Sequence, residues 1–427
     1  MPTFRAILAT SLMLSACVPA AAQYRRERPY RGIFASGIDP AGQSLTAQGT
    51  LSSGYDDNVL AGTSAQNSIR TAQEGPFAQF SGGLNYALGL GSGSIHAAAG
   101  TSQRYYPSLA REYYRNYNAS IGGTFLVSAR PNITVHQSAS YRPYTFLEIF
   151  PNVDEPPIGA SDVPEPDLVP LARQYVAYAG GADLRQQVTR RGTFSTFWNY
   201  GITDRLSNQF WRQSAGANYS VRVTRDLSAY VGYRYTEGHH NDRVTRIHRP
   251  DIGLDFLRAL SLTRRTSLTF GVGMQATAYD QVTHFSAVAN VRVIHEIGRS
   301  WTVGAVYRRG TYFVETLPEP MTGDSASVQV NGLITRRVQL SGVLSGSFGK
   351  MGYGAARHYD SYRGSISLSS AITRYMSAGV NYGYYHYMFA DVVELEPDLA
   401  RDINRQAVRG YVTFWAPIFT RRANASR

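Results

Sequence analysis

Glu237, His239, His240, Asp242 and His248 crowd one short stretch, and imidazole with carboxylate is a donor set that zinc accepts. Their spacing fits no established ligand pattern, and histidines of an external loop are ordinarily solvated, so no metal is expected. Nine histidines and many serines supply no local motif for a Ser–His–acid site, whose members meet only in three dimensions. Gly89-Leu90-Gly91-Ser92-Gly93 has the glycines of a phosphate cradle but neither a following helix nor a Lys-Ser/Thr pair, so it reads as a turn. The sequence therefore predicts no catalytic residue, no cofactor and no enzyme.

Arginine is the more informative residue. The formal charge of +12 is carried almost wholly by Arg, since Lys350 is the single lysine. Outside Tyr24-Arg25-Arg26-Glu27-Arg28 the arginines form no contiguous block, and an exported chain has little access to nucleic acid, so that partner is excluded. Arg212, Arg222, Arg234, Arg292, Arg308, Arg363 and Arg409 instead recur singly inside segments of alternating polarity. A guanidinium stays charged at any working pH and costs about 2–4 kcal/mol on a lipid-facing strand position near mid-membrane. These arginines should therefore line a watery interior, where rings of Arg favour anions. Asn381 and Tyr385 fall on the same face and would add a hydrogen bond and a stacking ring suited to a sugar. Few acids lie mid-strand, Asp183 and Asp255 among them. Acids gather in residues 147–172 (Glu148, Asp154, Glu155, Asp162, Glu165, Asp167) and again at Asp391, Glu394, Glu396 and Asp398. Solvated loop tips explain most of this; a negative mouth that gates, or that binds divalent cations among lipopolysaccharide phosphates, is the functional alternative.

The elements that must carry these residues announce themselves by period two. Trp211, Gln213, Ala215, Ala217, Tyr219, Val221 and Val223 alternate with Arg212, Ser214, Gly216, Asn218, Ser220 and Arg222. Leu268 to Thr277, Phe285 to Val293, Ala326 to Thr335 and Ala378 to Tyr385 repeat the pattern, a strand period rather than a helical one. Punctuation recurs about every 37 residues: TRRGT at Thr189, TRDLS at Thr224, TRRTS at Thr263, GRSWT at Gly298, TRRVQ at Thr335 and TRYMS at Thr373. Each unit holds two strands too long for a propeller blade, one tight Arg-bearing turn and one longer loop. About 10 tilted residues cross a bilayer as a strand, with alternate residues facing lipid and lumen.

The prediction is all-β: a single antiparallel up-and-down transmembrane barrel of about 18 strands, from 43–54 to 404–419, with 16 strands and an N-terminal plug as the alternative. Strands are placed at 227–237, 250–262, 300–315 and 325–335 among others. An even count puts both termini on the short-turn side, the periplasmic side of bacterial barrels, with Arg190, Arg225, Arg264, Arg299, Arg336 and Arg374 marking its turns. Tyr105-Tyr106, Tyr113-Tyr114, Tyr233 with Tyr235, Tyr312-Phe313 and Tyr384 with Tyr387 gather near the long loops, while Trp301 and Tyr375 lie beside short turns. Two interfacial aromatic girdles are expected.

The segment DPAGQSLTAQGTLSSGYDDNVLAG, Asp39 to Gly62, resembles the opening of an outer-membrane β-barrel porin family of Gram-negative bacteria, in which a first strand ends in Tyr-Asp-Asp-Asn-Val. Tyr55, Asp56, Asp57, Asn58 and Val59 match that ending. The resemblance implies an outer-membrane barrel, with some members associated with exopolysaccharide production, and it assigns no catalytic residues. Three functions follow as expectations: a channel for small or anionic polar solutes, an outer-membrane component of exopolysaccharide export, or a structural or adhesive barrel without an open channel. The expected partners are outer-membrane lipid and lipopolysaccharide, with polysaccharide export machinery under the second function. Oligomeric state is left open.

The first residues carry an export signal with two competing cuts. Arg5 supplies the basic region and Ala6 to Ala16 an apolar stretch too short to span a bilayer. Leu14-Ser15-Ala16-Cys17 reads as a lipobox that would acylate Cys17, the single cysteine, whereas Ala20-Ala21-Ala22 before Gln23 reads as an ordinary cleavage site. The division expected is a signal peptide at 1–22, a periplasmic segment at 23–42, the barrel at 43–419 and a tail at 420–427. A barrel already held by its apolar band gains little from one acyl chain, which favours the cut after Ala22. The intact mass of the mature protein should begin at Gln23; a lipid-bearing Cys17 at the N-terminus would overturn that choice.

Overall fold

A computed structural model describes residues 42–59, 74–107, 112–127, 131–146, 168–204, 209–240, 243–256, 265–279, 282–298, 300–313, 319–352, 357–390 and 401–421. The first six strands are β1 (Gln43–Asp56), β2 (Gly75–Leu90), β3 (Gly93–Tyr106), β4 (Glu112–Leu126), β5 (Pro131–Phe146) and β6 (Leu168–Gln187). Next come β7 (Gly192–Asp204), β8 (Gln209–Arg222), β9 (Leu227–His240), β10 (Arg243–Phe256), β11 (Thr266–Tyr279) and β12 (Val282–Ile297). The last six are β13 (Trp301–Tyr312), β14 (Met321–Leu333), β15 (Val338–Met351), β16 (His358–Thr373), β17 (Met376–Phe389) and β18 (Asp402–Arg421). Every strand pairs antiparallel with its neighbours in sequence, and β1 pairs with both β2 and β18, so one 18-stranded sheet closes on itself. Closure leaves no edge whose N–H and C=O groups lack partners.

Burial is inverted relative to a water-soluble protein. Outward residues are large and apolar yet exposed: Phe285 at 71%, Leu344 at 69%, Ile252 at 59%. Inward residues are polar yet buried, Thr50, Ser325, Ser347, Asn381 and Thr413 among them. Alternation along each strand produces both faces from one sequence, because directly paired residues share a side.

The recurring Thr-Arg mark is a hydrogen-bonding device. Thr189 Oγ1 accepts from the backbone N–H of Gly192 at 2.7 Å and of Arg191 at 3.3 Å. Thr224 Oγ1 does the same for Leu227 (3.1 Å) and Asp226 (3.3 Å), and Thr335 Oγ1 for Val338 (3.1 Å) and Arg337 (3.2 Å). Thr373 Oγ1 accepts from Tyr375 N–H at 3.1 Å. A threonine hydroxyl thus satisfies donors that the tight turn would otherwise leave open, while the following arginine stays in water. Arg190, Arg225, Arg336 and Arg374 sit in these turns; Arg264 and Arg299 lie outside the described residues.

Several boundaries differ from expectation. β10 begins at Arg243 rather than 250 and β9 runs on to His240, so these strands meet across a connection of only residues 241–242. The stretch looked like a loop because it is polar on both faces, as a strand may be where it projects beyond apolar surroundings. β6 starts at Leu168, inside the expected loop 147–172, and β18 extends to Arg421, past the expected barrel end at 419. The acidic residues of 147–167 and 391–400, and everything before residue 42, lie outside the described residues. The tyrosine doublets also divide: Tyr105 and Tyr384 point outward, but Tyr106, Tyr114, Tyr312 and Tyr387 point inward, since neighbours in a strand face opposite ways. The outer girdle is correspondingly thinner than the sequence suggested.

The Tyr-Asp-Asp-Asn-Val stretch turns out to be the latch that closes the sheet. Asp56 points inward, 1% exposed, and accepts from Arg405 Nε at 3.0 and 3.1 Å and from its Nη2. Asn58 N–H donates to Asp56 Oδ1 at 3.0 Å, and Asn58 Nδ2 donates to the Asn404 carbonyl at 3.1 Å. Asp57 Oδ1 accepts from the Gln406 N–H at 2.6 Å, while the Asp57 N–H donates to the Gln406 carbonyl at 3.0 Å. Burial, partly offset by that Gln406 N–H, pushes the Asp57 carboxyl above its ordinary range. Val59 packs with Phe77 and Tyr106, and Tyr55 faces out. Removing one partner of such a buried pair costs about 3–5 kcal/mol by stranding the other charge. Asp56→Ala should therefore lower the unfolding midpoint sharply, and Asp56→Leu with Arg405→Met should recover much of the loss; equal midpoints for wild type and Asp56→Ala would show that the seam does not hold the barrel.

Candidate functional site: the barrel interior

All nine residues singled out from the sequence share the inner face. Arg212 lies opposite Gly201, Arg222 opposite Ser228, and Arg234 opposite Gly216 and Arg249. Arg292 lies opposite Thr269 and Val306, and Arg308 opposite Asn290 and Ser325. Arg363 sits between Ser345 and Tyr385; Asn381 faces Arg409, and Tyr385 faces Arg405. They are not equally available. Arg222 is exposed and Arg212, Arg234, Arg292 and Arg363 are half-buried, whereas Asn381, Tyr385 and Arg409 are sealed into the wall. Asn381 Nδ2 is engaged by the Ile366 carbonyl at 3.0 Å, and Arg409 lies 5.3 Å from the Tyr411 ring centre. Those three are packed into the wall.

Further inward arginines were passed over. Arg405 precedes Arg409 by four positions and so shares its face; parity alone would have found it. Arg104 on β3 donates to Gln79 Oε1 at 2.8 Å and to Tyr106 Oη at 3.0 Å, with Phe77 stacked beneath at 5.0 Å. Arg249, paired with Asp251 at 3.9 Å, lies ahead of residue 250, where the sequence pattern starts the strand, because β10 begins at Arg243. Asp56, Asp183, Asp251, Asp255 and Glu296 also face inward, fewer than the arginines.

At the short-turn end the inward residues Asn85, His96 and Arg222 are exposed, while Ser44, Thr302 and Ser377 are buried. Toward the loop end the inward residues are packed, and there Phe313, just past β13, turns into the lumen. The β12–β13 ladder stops at Ala289 opposite Arg309. Beyond it Thr311 N–H donates to Gln275 Oε1 at 3.3 Å, reaching past β12 to β11. Phe313 continues across to Phe210 on β8, ring centres 6.3 Å apart, and its ring fills the space a side chain at Gly238 would need. On the return, Glu319 pairs with Arg243 of β10 at 3.5 Å and with Arg357 just before β16. Gly352, at φ +63°, leaves its Cβ position to that carboxylate. Tyr312 Oη and Tyr359 Oη are hydrogen-bonded at 2.6 Å alongside. The loop end of the lumen is thereby narrowed from one side.

The histidine–carboxylate stretch does not converge. His239 Nε2 meets Glu237 Oε1 at 2.7 Å on the outer wall, stacked on Trp211 with ring centres 3.9 Å apart. His248 Nδ1 pairs with Tyr233 Oη at 2.7 Å, also outside, while His240 points inward and Asp242 is outside the described residues. Among the described residues no three metal-ligating side chains gather, and no helix is long and apolar enough to cross a membrane, which says nothing of strands.

No protein-family model matches the chain, and no curated protein matches it. Solved structures similar to it include OpdQ of Pseudomonas aeruginosa, with 10% identity over 88% of this chain and 98% of that one and a TM-score of 0.47. OccK7 (OpdD) of the same organism is 11% identical over 90% and 100%, with a TM-score of 0.46. OccAB4 of Acinetobacter baumannii is 11% identical over 89% and 100%, with a TM-score of 0.43. At these values they say nothing of cargo.

The packing of Phe313 against Gly238 gives a double test. Gly238→Val should force the ring out, an overpacking that costs about 1–3 kcal/mol. Phe313→Ala in the same chain should restore the unfolding midpoint; additive losses would show that the two do not touch.

Proposed function

We propose that this protein is an outer-membrane channel for small polar and anionic solutes. The inverted exposure carries the reading: a closed sheet with an apolar exterior on every strand and a polar, arginine-rich interior suits lipid outside and water inside. The strands of β1–β18 are longer than the ~10 residues a bilayer requires. Outward charges such as Arg246, Arg309 and Asp324 near their loop ends fit a stretch that rises beyond the hydrocarbon. In the proposed orientation both termini and the Thr-capped turns are periplasmic, so the lumen narrows toward the outside. The excess of inward arginines over acids favours an anionic cargo, and an acidic glycan delivered by polysaccharide export machinery is the finer form of the proposal. The packed loop end is the observation that favours the second reading, a barrel without an open channel.

Reversal potentials of the refolded protein under a salt gradient test both. Modest anion selectivity is expected, weakened by Arg222→Gln with Arg292→Gln, because charged rings bias the ions that pass. Cation preference unchanged by those substitutions would remove the arginines from the account, and absence of any conductance would favour the closed barrel.

A further inference from the structure

Two histidines face each other across a missing side chain at the short-turn end of the lumen. His96 on β3 is directly opposite Gly122 on β4, which is directly opposite His136 on β5. All three positions point inward. A Cβ on Gly122 would fall 2.6 Å from His96 Nε2 and 2.7 Å from His136 Cβ, so the His96 ring already leans into the gap and reaches its neighbour. The two rings lie near enough to act on one another electrostatically. His136 is also directly opposite Gly181 on β6. Beneath the pair, Thr124 Oγ1 and Thr134 Oγ1 are hydrogen-bonded at 3.3 Å, a rung of hydroxyls that fixes the spacing of β4 and β5.

We infer that His96 and His136 form a binding site for a divalent transition metal at the short-turn mouth. Strand spacing puts their Cα atoms about 10 Å apart with parallel Cβ directions, a span that two imidazoles can close onto one ion. Neutral imidazole suits zinc, nickel and copper, and a two-histidine site leaves the remaining positions to water. The glycine at 122 supplies the room. Hard cations such as magnesium and calcium, which prefer oxygen donors, should not compete. Unlike the outer-wall pair His239 and Glu237, this site is reached through water in the lumen, and it does not depend on the channel conducting.

Zinc and nickel titrations of the folded barrel in detergent, followed by calorimetry and native mass spectrometry, test the inference. One ion should bind saturably, resist magnesium, and be released by acid, because the ligands must be neutral. His96→Gln and His136→Gln should each weaken binding by about tenfold or more. Gly122→Val, which keeps both histidines but fills the gap, should weaken it likewise, whereas His358→Gln on the outer wall should not. Binding that survives the double His96→Gln, His136→Gln replacement, or no saturable binding by a barrel whose folding is verified by its heat-dependent gel mobility, would overturn the site.

Discussion

Everything in this molecule depends on the first strand finding the last. A sheet surrounded by hydrocarbon has no water to satisfy an unpaired N–H or C=O, so an open edge along one strand would cost more than any side-chain contact could return. β1 and β18 are separated by most of the chain, and their backbone ladder is the longest-range pairing present. Side chains reinforce it at both levels: Thr50 and Thr413 hydroxyls meet at 3.0 Å midway, and the Asp56–Arg405 pair seals the loop end. The tetrapeptide from Asp56 to Val59 supplies, in order, an ion-pair partner, a cap for Gln406, a clamp on Asn404 and an apolar plug. The stretch that carries the family resemblance is spent on closure.

Period two then assigns the work. Each strand delivers one apolar row to the outside and one polar row to the inside, so a residue's parity decides its surroundings before its identity matters. That is why seven scattered arginines, unrelated by motif, come to share one cavity. It is also why adjacent tyrosines do unlike things: Tyr106 packs in the seam with Phe77, while Tyr105, its immediate neighbour, faces away.

Parity and turn punctuation made the barrel and the inward face readable in advance, because both are local signals repeated along the chain. What escaped was whatever depends on depth or on contacts across the lumen. Tyr385 and Asn381 have the right parity, but only their position near the seam shows that they are buried. β10 begins earlier than the pattern suggests because Arg243 to Arg249 alternates without an apolar face, and that hid Arg249. The inward course of Phe313 and Glu319 has no sequence signature, since its partners Phe210, Arg243 and Arg357 come from distant strands. The His96–Gly122–His136 row was equally hidden, being a register property of three separate segments.

The Thr-capped turns have a wider meaning. Each of these four hairpins carries its own folding instruction at its tip, in a threonine that caps the turn's backbone N–H groups. The seam, by contrast, is written only in the first and last strands. Hairpins of this kind are modules: one could be duplicated or deleted between two turns and the ends would still know each other, leaving a barrel of altered bore. Girth and closure are encoded in different places, and lineages could widen or narrow such a barrel without relearning how to shut it.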